Sequence, residues 1–213
     1  RREGDHYVIN GEKKWITSGA ISGLLTVMAN QQVTDPKTGK TKKGVSALIV
    51  TPDMEGVTFF QKNRSKTGIR GTWQARIRFE NVRVPKENLL HREGQGLKVA
   101  LTCLNYGRCT LSAGVTGAAK QAAEQATKWV ATRHQFQRPL ADFERNKNRV
   151  AEMHALCFGM DAMLYAVCGM LDRHDSDIMV ETAACKLFTS EEGWNVIDSA
   201  MQIMGGEGYV TEN

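Results

Sequence analysis

Apolar and polar positions up to about residue 90 alternate in short runs that are separated by turn-forming residues. Residues 6–9 and 13–17 flank Asn10 and Gly11, a dipeptide favoured in two-residue hairpin turns, so we expect a hairpin there. Residues 24–29 and 46–50 are apolar runs of strand length, and they bracket a turn-rich stretch at 34–39. This pattern is typical of antiparallel β-structure.

Two more strands are predicted before residue 90. Residues 57–60 follow a glycine, and residues 75–84 alternate until Pro85. The side chains of the second strand that we expect to face inward are Ile77, Phe79, Val82 and Val84. Several short strands at this spacing predict a small antiparallel barrel or sandwich.

After Gly96 the apolar spacing changes to the period of an α-helix. A first helix is predicted over about 97–132, roughly 54 Å long at 1.5 Å per residue. The apolar residues that recur along it are Leu97, Leu101, Leu104, Leu111 and Val115. Pro139 then breaks the pattern, because proline cannot continue a helix.

Two more helices are predicted, over about 142–171 and 177–204, with a turn at 173–176. The residues expected to face inward on the second helix are Met153, Leu156, Met160, Met163, Leu164 and Val167. Gly205 and Gly206 should end the third helix. We therefore predict an α+β fold, in which an antiparallel β-barrel domain (1–92) is followed by an up-down helical bundle domain (93–213).

Composition adds modest constraints. The chain has 213 residues, is 41% hydrophobic and carries a formal charge of +5, which suits a nucleotide-like small polyanion. The basic stretch at 37–43 is interpreted as a hairpin loop rather than a nucleic-acid patch, so no nucleic-acid partner is expected. No run of eighteen apolar residues occurs, so no transmembrane segment is expected. The polar start without an initiator Met leads us to expect a piece of a longer protein.

Five cysteines occur in apolar helical context, and none of them forms a C-x-x-C pair. We expect buried free thiols in a reducing compartment rather than disulfides or metal ligands. The cysteines are Cys103, Cys109, Cys157, Cys168 and Cys185.

Three segments could carry ligand chemistry, although each also has a structural interpretation. Trp15 stands beside the hydroxyls of Thr17 and Ser18, so a flat ligand could stack there; alternatively Trp15 closes the barrel core. Arg133 could bind a phosphate, or it could only complement the dipole of the first helix. The glycine-rich backbone at 205–208 could approach a pyrophosphate, or it could simply end a helix.

Asn105 and Arg108 lie three residues apart on one helix face among apolar positions. A guanidinium placed there needs a partner, because an unpaired buried charge is costly. That partner could be a ligand or a structural carboxylate. The sequence contains no evident Ser-His-Asp set, metal cluster or Walker loop.

Six segments, in order, resemble the acyl-CoA dehydrogenase family. They are Y-V-I-N-G-E-K-K-W-I-T-S-G (7–19), F-E-N-V-R-V-P-K-E-N-L-L (79–90), G-Q-G-L-K-V-A (94–100), N-Y-G-R (105–108), R-H-Q-F (133–136) and Q-I-M-G-G-E-G-Y (202–209). The extended loop at 33–44 is loosely similar to long- and very-long-chain members. The resemblance implies a middle β-barrel and part of a C-terminal four-helix bundle, with FAD between them.

The resemblance also implies roles for particular residues. Trp15, Ile16, Thr17 and Ser18 would contact the flavin, and Thr72, Asn105 and Arg108 would contact acyl-CoA. Two further sets would bind the FAD of a neighbouring subunit. Arg133, His134 and Gln135 would reach it, and its pyrophosphate and adenosine end would be lined by Gln202, Ile203, Met204, Gly205 and Gly206. A site shared in this way implies a homodimer or homotetramer.

The implied reaction is α,β-dehydrogenation of a fatty acyl-CoA thioester, with electrons passed to electron-transfer flavoprotein. The usual catalytic Glu is expected beyond Asn213, and Gly107 occupies the alternative position of that base, so no catalytic residue is predicted within this chain. Glu144 stands where a Gln commonly contacts the cofactor, which leaves its role open. An acyl-CoA oxidase and a non-catalytic binding protein of the same fold are the alternatives. Bacterial cytoplasm and mitochondrial matrix both fit reduced cysteines.

Overall fold

The computed structural model describes residues 1–34, 38–175 and 177–210. The chain divides into two compact units, Arg1–Thr102 and Cys103–Asn213, which we call the β unit and the helical unit. The domain boundary at 92/93 that we predict from sequence stays a prediction.

The β unit holds two antiparallel sheets. Its strands are β1 (Arg2–Glu3), β2 (His6–Thr17), β3 (Leu25–Thr34), β4 (Thr41–Val50), β5 (Val57–Gln61), β6 (Gln74–Pro85) and β7 (Leu89–Leu90). One sheet has the order β1-β2-β6-β5 and the other has the order β3-β4-β7. The predicted antiparallel sheets followed by helices are thereby confirmed, and β3 and β4 pair as expected around the turn-rich stretch. Lys37 of the predicted basic loop (37–43) lies outside the described residues, and Lys42 and Lys43 belong to β4 rather than to a loop.

The predicted hairpin at Asn10-Gly11 is wrong, because β2 runs through this dipeptide as one strand of 12 residues. Both halves of β2 pair with β6, and the dipeptide forms an irregularity in the ladder instead of a turn. The side chain of Asn10 donates to Asn81 Oδ1 (3.1 Å) and accepts from the Asn81 backbone N–H (2.8 Å). These bonds compensate the broken ladder, so the turn signal marks a β-bulge.

The core of the β unit is built from large apolar side chains of both sheets. The four inward positions predicted on β6 are all buried, which confirms that expectation. The buried positions shift from odd-numbered residues (Ile77, Phe79) to even-numbered ones (Val82, Val84), because Asn81 adopts a positive φ of 53°. The other buried members of this cluster are Tyr7, Ile9, Leu25, Val27, Leu48, Val50 and Ala75.

The helical unit is dominated by three long helices, the first of which starts in the β unit. They are α1 (Gly96–Thr132), α2 (Glu144–Asp172) and α3 (Met179–Met204), and a short hairpin of β8 (His134–Gln135) and β9 (Arg138–Pro139) follows α1. All three predicted helices are present within two residues of their expected ends. Gly205, with a φ of 62°, caps α3 as predicted. Ser176 of the predicted turn lies outside the described residues.

The buried faces of the helices were only partly predicted. Met153, Met160 and Val167 of α2 are buried as expected. On α1, however, the recurring leucines are exposed. The buried positions of α1 are small or polar instead: Cys109, Ser112, Thr116, Ala119, Ala123 and Ala126, with Val130 at the end. Met153 and Met160 of α2 belong to the same cluster as the buried alanines of α1, so the facing helix supplies much of the apolar bulk there.

One helix, α2, is long and apolar enough to cross a membrane by length and composition, with a mean hydropathy of 1.4 over its best window. The core helices of bundles pass the same test, and α2 packs its buried side chains against the hydrophobic clusters of the helical unit. The expectation of no membrane span rested on uninterrupted apolar runs, which is a stricter criterion than average hydropathy.

Candidate functional site

The end of β2 presents an exposed aromatic side chain in an unusual backbone conformation. The β2–β6 ladder shifts register between Lys13 and Ile16, and Trp15 within that irregularity has a φ of 61°. Trp15 is 53% exposed, whereas Ile16 packs against the core. The alternative in which Trp15 closes the barrel core is therefore wrong, because the bulge turns the indole out of the sheet.

A cation covers part of this indole. The guanidinium carbon of Arg64 lies 4.2 Å from the centre of a Trp15 ring, within the range of a cation–π contact. The Arg64 backbone N–H donates to the Gln74 carbonyl (3.1 Å). Lys66 Nζ donates to the carbonyls of Arg64 (3.2 Å) and Thr72 (2.5 Å). The segment between β5 and β6 is thus tied together beside Trp15.

Hydrogen bonds also connect Thr17, at the end of β2, and Ser18, which follows it, to the chain around the start of β6. The Ser18 backbone N–H donates to the Trp73 carbonyl (2.8 Å), and Gln74 Nε2 donates to Thr17 Oγ1 (2.8 Å). Ser18 itself adopts a left-handed conformation with a φ of 58°. The structure therefore brings Trp15, Thr17 and Ser18 together with the residues that adjoin Thr72, at one end of the β unit.

In the helical unit, Arg108 and Asn105 form one hydrogen-bonded group with the start of α3. Arg108 Nη1 donates to Asn105 Oδ1 (3.1 Å), to the Met179 carbonyl (3.3 Å) and to Thr182 Oγ1 (3.4 Å). Thr182 Oγ1 also donates to the Met179 carbonyl (3.1 Å). The partners of Arg108 are neutral oxygens, so its positive charge stays available to an anionic or carbonyl-bearing ligand.

Next to Arg108, three thiols share a small apolar cluster. Cys109 and Cys185 are buried in it, and Cys168 packs against it. Burial raises the pKa of the Cys109 thiol to about 11, and the neighbouring Cys168 and Cys185 contribute to the shift. All five cysteines are free, but Cys103 is exposed, so the expectation that every thiol is buried is wrong there. In the described ranges, no group of three or more His, Cys, Asp or Glu residues is arranged to hold a metal ion.

The predicted residues Arg133, His134 and Gln135 are exposed on the hairpin that follows α1. His134 pairs with Pro139 and Gln135 with Arg138, across a turn in which Phe136 and Gln137 have positive φ. The guanidinium carbon of Arg133 lies 5.8 Å from a ring centre of Trp129. The three side chains thus lie on one exposed hairpin.

The residues at the end of α3 divide into exposed and buried members. Gln202 and Gly205 line a shallow depression of about 240 Å³ with Asp198, Met201 and Tyr209. Ile203 is buried in the helical core, so only its backbone could contact a ligand. Added Cβ atoms at Gly205 and Gly206 would meet nothing within 4 Å, and a ligand could therefore approach this backbone closely.

The candidate residues of the helical unit fall into two groups. Val130, which precedes the Arg133 hairpin, and Ile203 belong to one hydrophobic cluster, so these two predicted cofactor segments flank the same part of the core. The Asn105–Arg108 group instead contacts Thr182. Thr182 and Gln202 stand roughly 30 Å apart along α3, at 1.5 Å per residue. The predicted substrate and cofactor residues of this unit therefore lie toward opposite ends of α3.

These arrangements fit the cofactor that the resemblance implies. A flat ring system with a polar edge matches an exposed indole beside a hydroxyl group. The carbonyl oxygen Oε1 of Gln74, next to Thr17, is buried and has no hydrogen-bond partner among the described residues. An elongated phosphate-bearing ligand matches the open glycine backbone after α3 and the exposed cation Arg133.

Sequence reasoning missed Arg64, Lys66, Gln74 and Thr182. Gln74 and its partner Thr17 are 57 residues apart, and Arg108 and Thr182 are 74 residues apart. No local pattern encodes such pairings.

Comparison with known proteins gives a consistent result over nearly the whole chain. A family model described as acyl-CoA dehydrogenase, middle domain, matches residues 1–82. A second, described as acyl-CoA dehydrogenase, C-terminal domain, matches residues 94–213.

Individual relatives agree with these matches. A probable acyl-CoA dehydrogenase of Mycobacterium bovis is 39% identical over 209 residues, which are 98% of this chain and 31% of that protein. A mitochondrial very long-chain specific acyl-CoA dehydrogenase of Macaca fascicularis is 36% identical over 209 residues, or 98% of this chain and 32% of that protein. The chain thus spans about a third of the length of these relatives.

Among solved structures, the butyryl-CoA dehydrogenase of Megasphaera elsdenii is similar with a TM-score of 0.88 and 30% sequence identity. The similarity covers 100% of this chain and 54% of that one.

Proposed function

This chain belongs to the acyl-CoA dehydrogenase family, and from that premise we propose that its protein is an FAD-dependent acyl-CoA dehydrogenase. It oxidises fatty acyl-CoA thioesters to 2-enoyl-CoA and passes the electrons to electron-transfer flavoprotein. The observation that carries the proposal is the exposed Trp15 beside the Thr17 hydroxyl, in a chain that both family models match in order.

In this proposal Trp15, Ile16, Thr17 and Ser18 form the flavin contact. The Trp15 indole orients the ring and shields it from water, while the Thr17 hydroxyl bonds its polar edge. Bound FAD supplies the hydride-accepting chemistry. The protein contributes binding and orientation.

Two segments of the helical unit hold the phosphate-bearing part of FAD. Arg133, His134 and Gln135 supply a cation and polar groups from an exposed hairpin, and they act on the FAD of a neighbouring subunit. The backbone of Gly205 and Gly206, with Gln202, Ile203 and Met204, accommodates the pyrophosphate and adenosine of that same FAD. Because the FAD site is shared between subunits in this way, the working form is a homodimer or homotetramer.

Acyl-CoA is bound by Asn105 and Arg108 on α1 and by Thr72 in the β unit. The Arg108 charge attracts electron-rich oxygen atoms of the thioester ligand, and its bonds to Asn105 and Thr182 orient it. Hydrogen bonds to the thioester oxygen stabilise negative charge that develops when the α-proton leaves.

A carboxylate outside this chain takes the α-proton, because Gly107 has no side chain to do so. Glu144 begins α2, where a carboxylate stabilises the helix dipole, so a structural role explains it. The five free thiols support a reducing compartment, either bacterial cytoplasm or mitochondrial matrix.

The test is anaerobic titration of the full-length protein with acyl-CoA thioesters of short, medium and long chains. Loss of the flavin absorbance with at least one chain length supports the proposal, while a protein that binds no flavin, or whose flavin never bleaches, refutes it. Peroxide formed in air at the rate of turnover would select the oxidase alternative.

A matched pair of variants assigns the substrate site. Arg108→Gln should weaken acyl-CoA binding about tenfold or more, since bonds to charged groups are the stronger ones. Lys120→Gln, on an exposed part of the same helix, should leave that binding unchanged. Equal effects of the two changes would contradict the assignment of Arg108.

A further inference from the structure

The side chain of Gln74 makes one hydrogen bond and leaves another unmade. Its Nε2 donates to Thr17 Oγ1 at 2.8 Å. Its Oε1 is buried and has no hydrogen-bond partner among the described residues. Buried carbonyl oxygens are rarely left unpaired, so this arrangement calls for an explanation.

The Thr17 hydroxyl has one proton to donate and two lone pairs to accept with. If the Gln74 amide were turned over, its carbonyl would accept the Thr17 proton, but its NH2 group would then occupy the buried position that has no partner among the described residues. In the observed orientation the amide N–H occupies a lone pair of Thr17 instead. The Thr17 proton is then free to be donated to another acceptor.

The backbone holds this pair rigidly. Thr17 and Gln74 are direct partners in the β2–β6 ladder. The Gln74 backbone N–H donates to Asn63 Oδ1 (3.2 Å), and its carbonyl accepts from the Arg64 N–H (3.1 Å). Because both of its main-chain groups are bonded, Gln74 can adjust mainly by turning its amide.

We propose that Gln74 is a positioning residue that makes Thr17 a hydrogen-bond donor toward the bound ligand. The inference rests on the proposed function, in which that ligand is the flavin of FAD. A flavin ring offers acceptor nitrogen and carbonyl oxygen atoms along its polar edge, and these match a hydroxyl whose proton is free. A ligand atom that donated to Thr17 would favour the opposite amide orientation.

The test compares four forms of the full-length protein, namely the wild type, Gln74→Glu, Thr17→Val and the double variant. A glutamate has nearly the shape of glutamine, but an ionised carboxylate only accepts hydrogen bonds. It therefore captures the Thr17 proton. The readouts are the dissociation constant of FAD and the visible absorption spectrum of the bound flavin, neither of which requires turnover.

Loss of one hydrogen bond should weaken FAD binding about fivefold in Thr17→Val. Gln74→Glu should have a similar effect and shift the flavin spectrum in the same direction. The double variant should bind no more weakly than either single variant, because both changes remove the same donor. Gln32→Glu, on exposed β3, adds a negative charge to the same unit and should change neither readout.

Two results would overturn the inference. The first is a Gln74→Glu protein that binds FAD as the wild type does. The second is a double variant in which the two losses multiply, since Gln74 would then act independently of Thr17. If circular dichroism shows that Gln74→Glu does not fold, Gln74→Leu and its double variant with Thr17→Val replace it. Gln74→Leu should weaken FAD binding about twofold, because the Thr17 hydroxyl becomes free to rotate. A wild type that binds no FAD refutes the proposed function itself.

Discussion

The two units of this chain differ in the size of the side chains that form their hydrophobic cores. The β unit fills its core with large side chains such as Ile77, Phe79 and Val82. The main cluster of the helical unit combines alanines of α1 with Met153 and Met160 of α2. The β unit buries large side chains from both of its sheets, whereas in the helical unit small side chains of α1 share a core with large side chains of α2.

Large size does not mark the core of the helical unit. Tyr165 is 76% exposed and Trp194 70% exposed, while Ala119, Ala123 and Ala126 of α1 are buried. In a strand the pleat sends alternate side chains to opposite faces, so apolar bulk marks the core. On α1, small residues mark the buried face instead, because large side chains of α2 fill the core beside them. The stability of the β unit should therefore be most sensitive to a loss of side-chain volume in its core, and that of the helical unit to a gain of volume on α1.

The largest effect is expected from shortening a core side chain of the β unit. Ile77→Ala should lower the free energy of unfolding by about 4 kcal/mol, because it removes buried methyl groups and leaves a cavity. The control is Ile21→Ala in the same unit, where Ile21 is 64% exposed and Ile77 only 2%. Urea denaturation followed by circular dichroism measures both. Similar losses of unfolding free energy at Ile77 and Ile21 would contradict the expectation that the stability of the β unit depends on its large buried side chains.

The helical unit should be more sensitive to added volume. Ala123→Leu should destabilise it by about 2–3 kcal/mol, because the fully buried position has no room for a branched side chain. Ala118→Leu, exposed on the same helix, should change stability by less than about 0.5 kcal/mol. Differential scanning calorimetry distinguishes them, and a tolerated Ala123→Leu would mean that the contact is loose.

Glycines on two helices of the helical unit should respond with opposite signs. A Cβ at Gly193 would lie 2.3 Å from Val115 Cγ1, whereas one at Gly114 would meet nothing within 4 Å. Gly193→Ala should cost about 1–2 kcal/mol through overpacking. Gly114→Ala should add up to about 1 kcal/mol, because alanine favours helix. Melting temperatures that move in the same direction would contradict this packing.

The smallest effects concern alkaline pH. Burial, helped by a 2.6 Å hydrogen bond to Glu93, raises the pKa of Tyr7 in the β unit from 10.0 to about 12. Burial likewise raises the pKa of Cys109 in the helical unit from 9.0 to about 11. Because both groups ionise more readily when unfolded, their stabilising contributions are complete below pH 9 and are lost as pH rises to 12.

Ionisation of each group should lower the free energy of unfolding by about 1 kcal/mol midway between its ordinary and its raised pKa. That midpoint is near pH 11 for Tyr7 and pH 10 for Cys109. Unfolding free energies measured against pH should fall less steeply in Tyr7→Phe between pH 10 and 12. In Cys109→Ala they should fall less steeply between pH 9 and 11. Unchanged slopes in the variants would show that neither group titrates with folding.

The sequence by itself determined the order and type of the elements. The positions of the apolar residues along 75–84 predicted β6 and its four inward side chains, and the helical period placed the ends of α1–α3 within two residues. Motifs in register across the chain identified the family and the candidate residues. These signals are local, because side-chain period and capping glycines act over a few residues.

Tertiary structure decided what local signals leave open. Asn10-Gly11 favours a hairpin, but pairing of both halves of β2 with β6 keeps the strand continuous. Leucines recur along α1 at the helical period, but the α1 residues that are buried with the other helices include its alanines and not these leucines. The bulge that exposes Trp15 and the bond from Gln74 to Thr17 likewise arise from strands that meet only in the folded chain. The contacts that stabilise these features join residues distant in sequence, so no short stretch of sequence contains both partners.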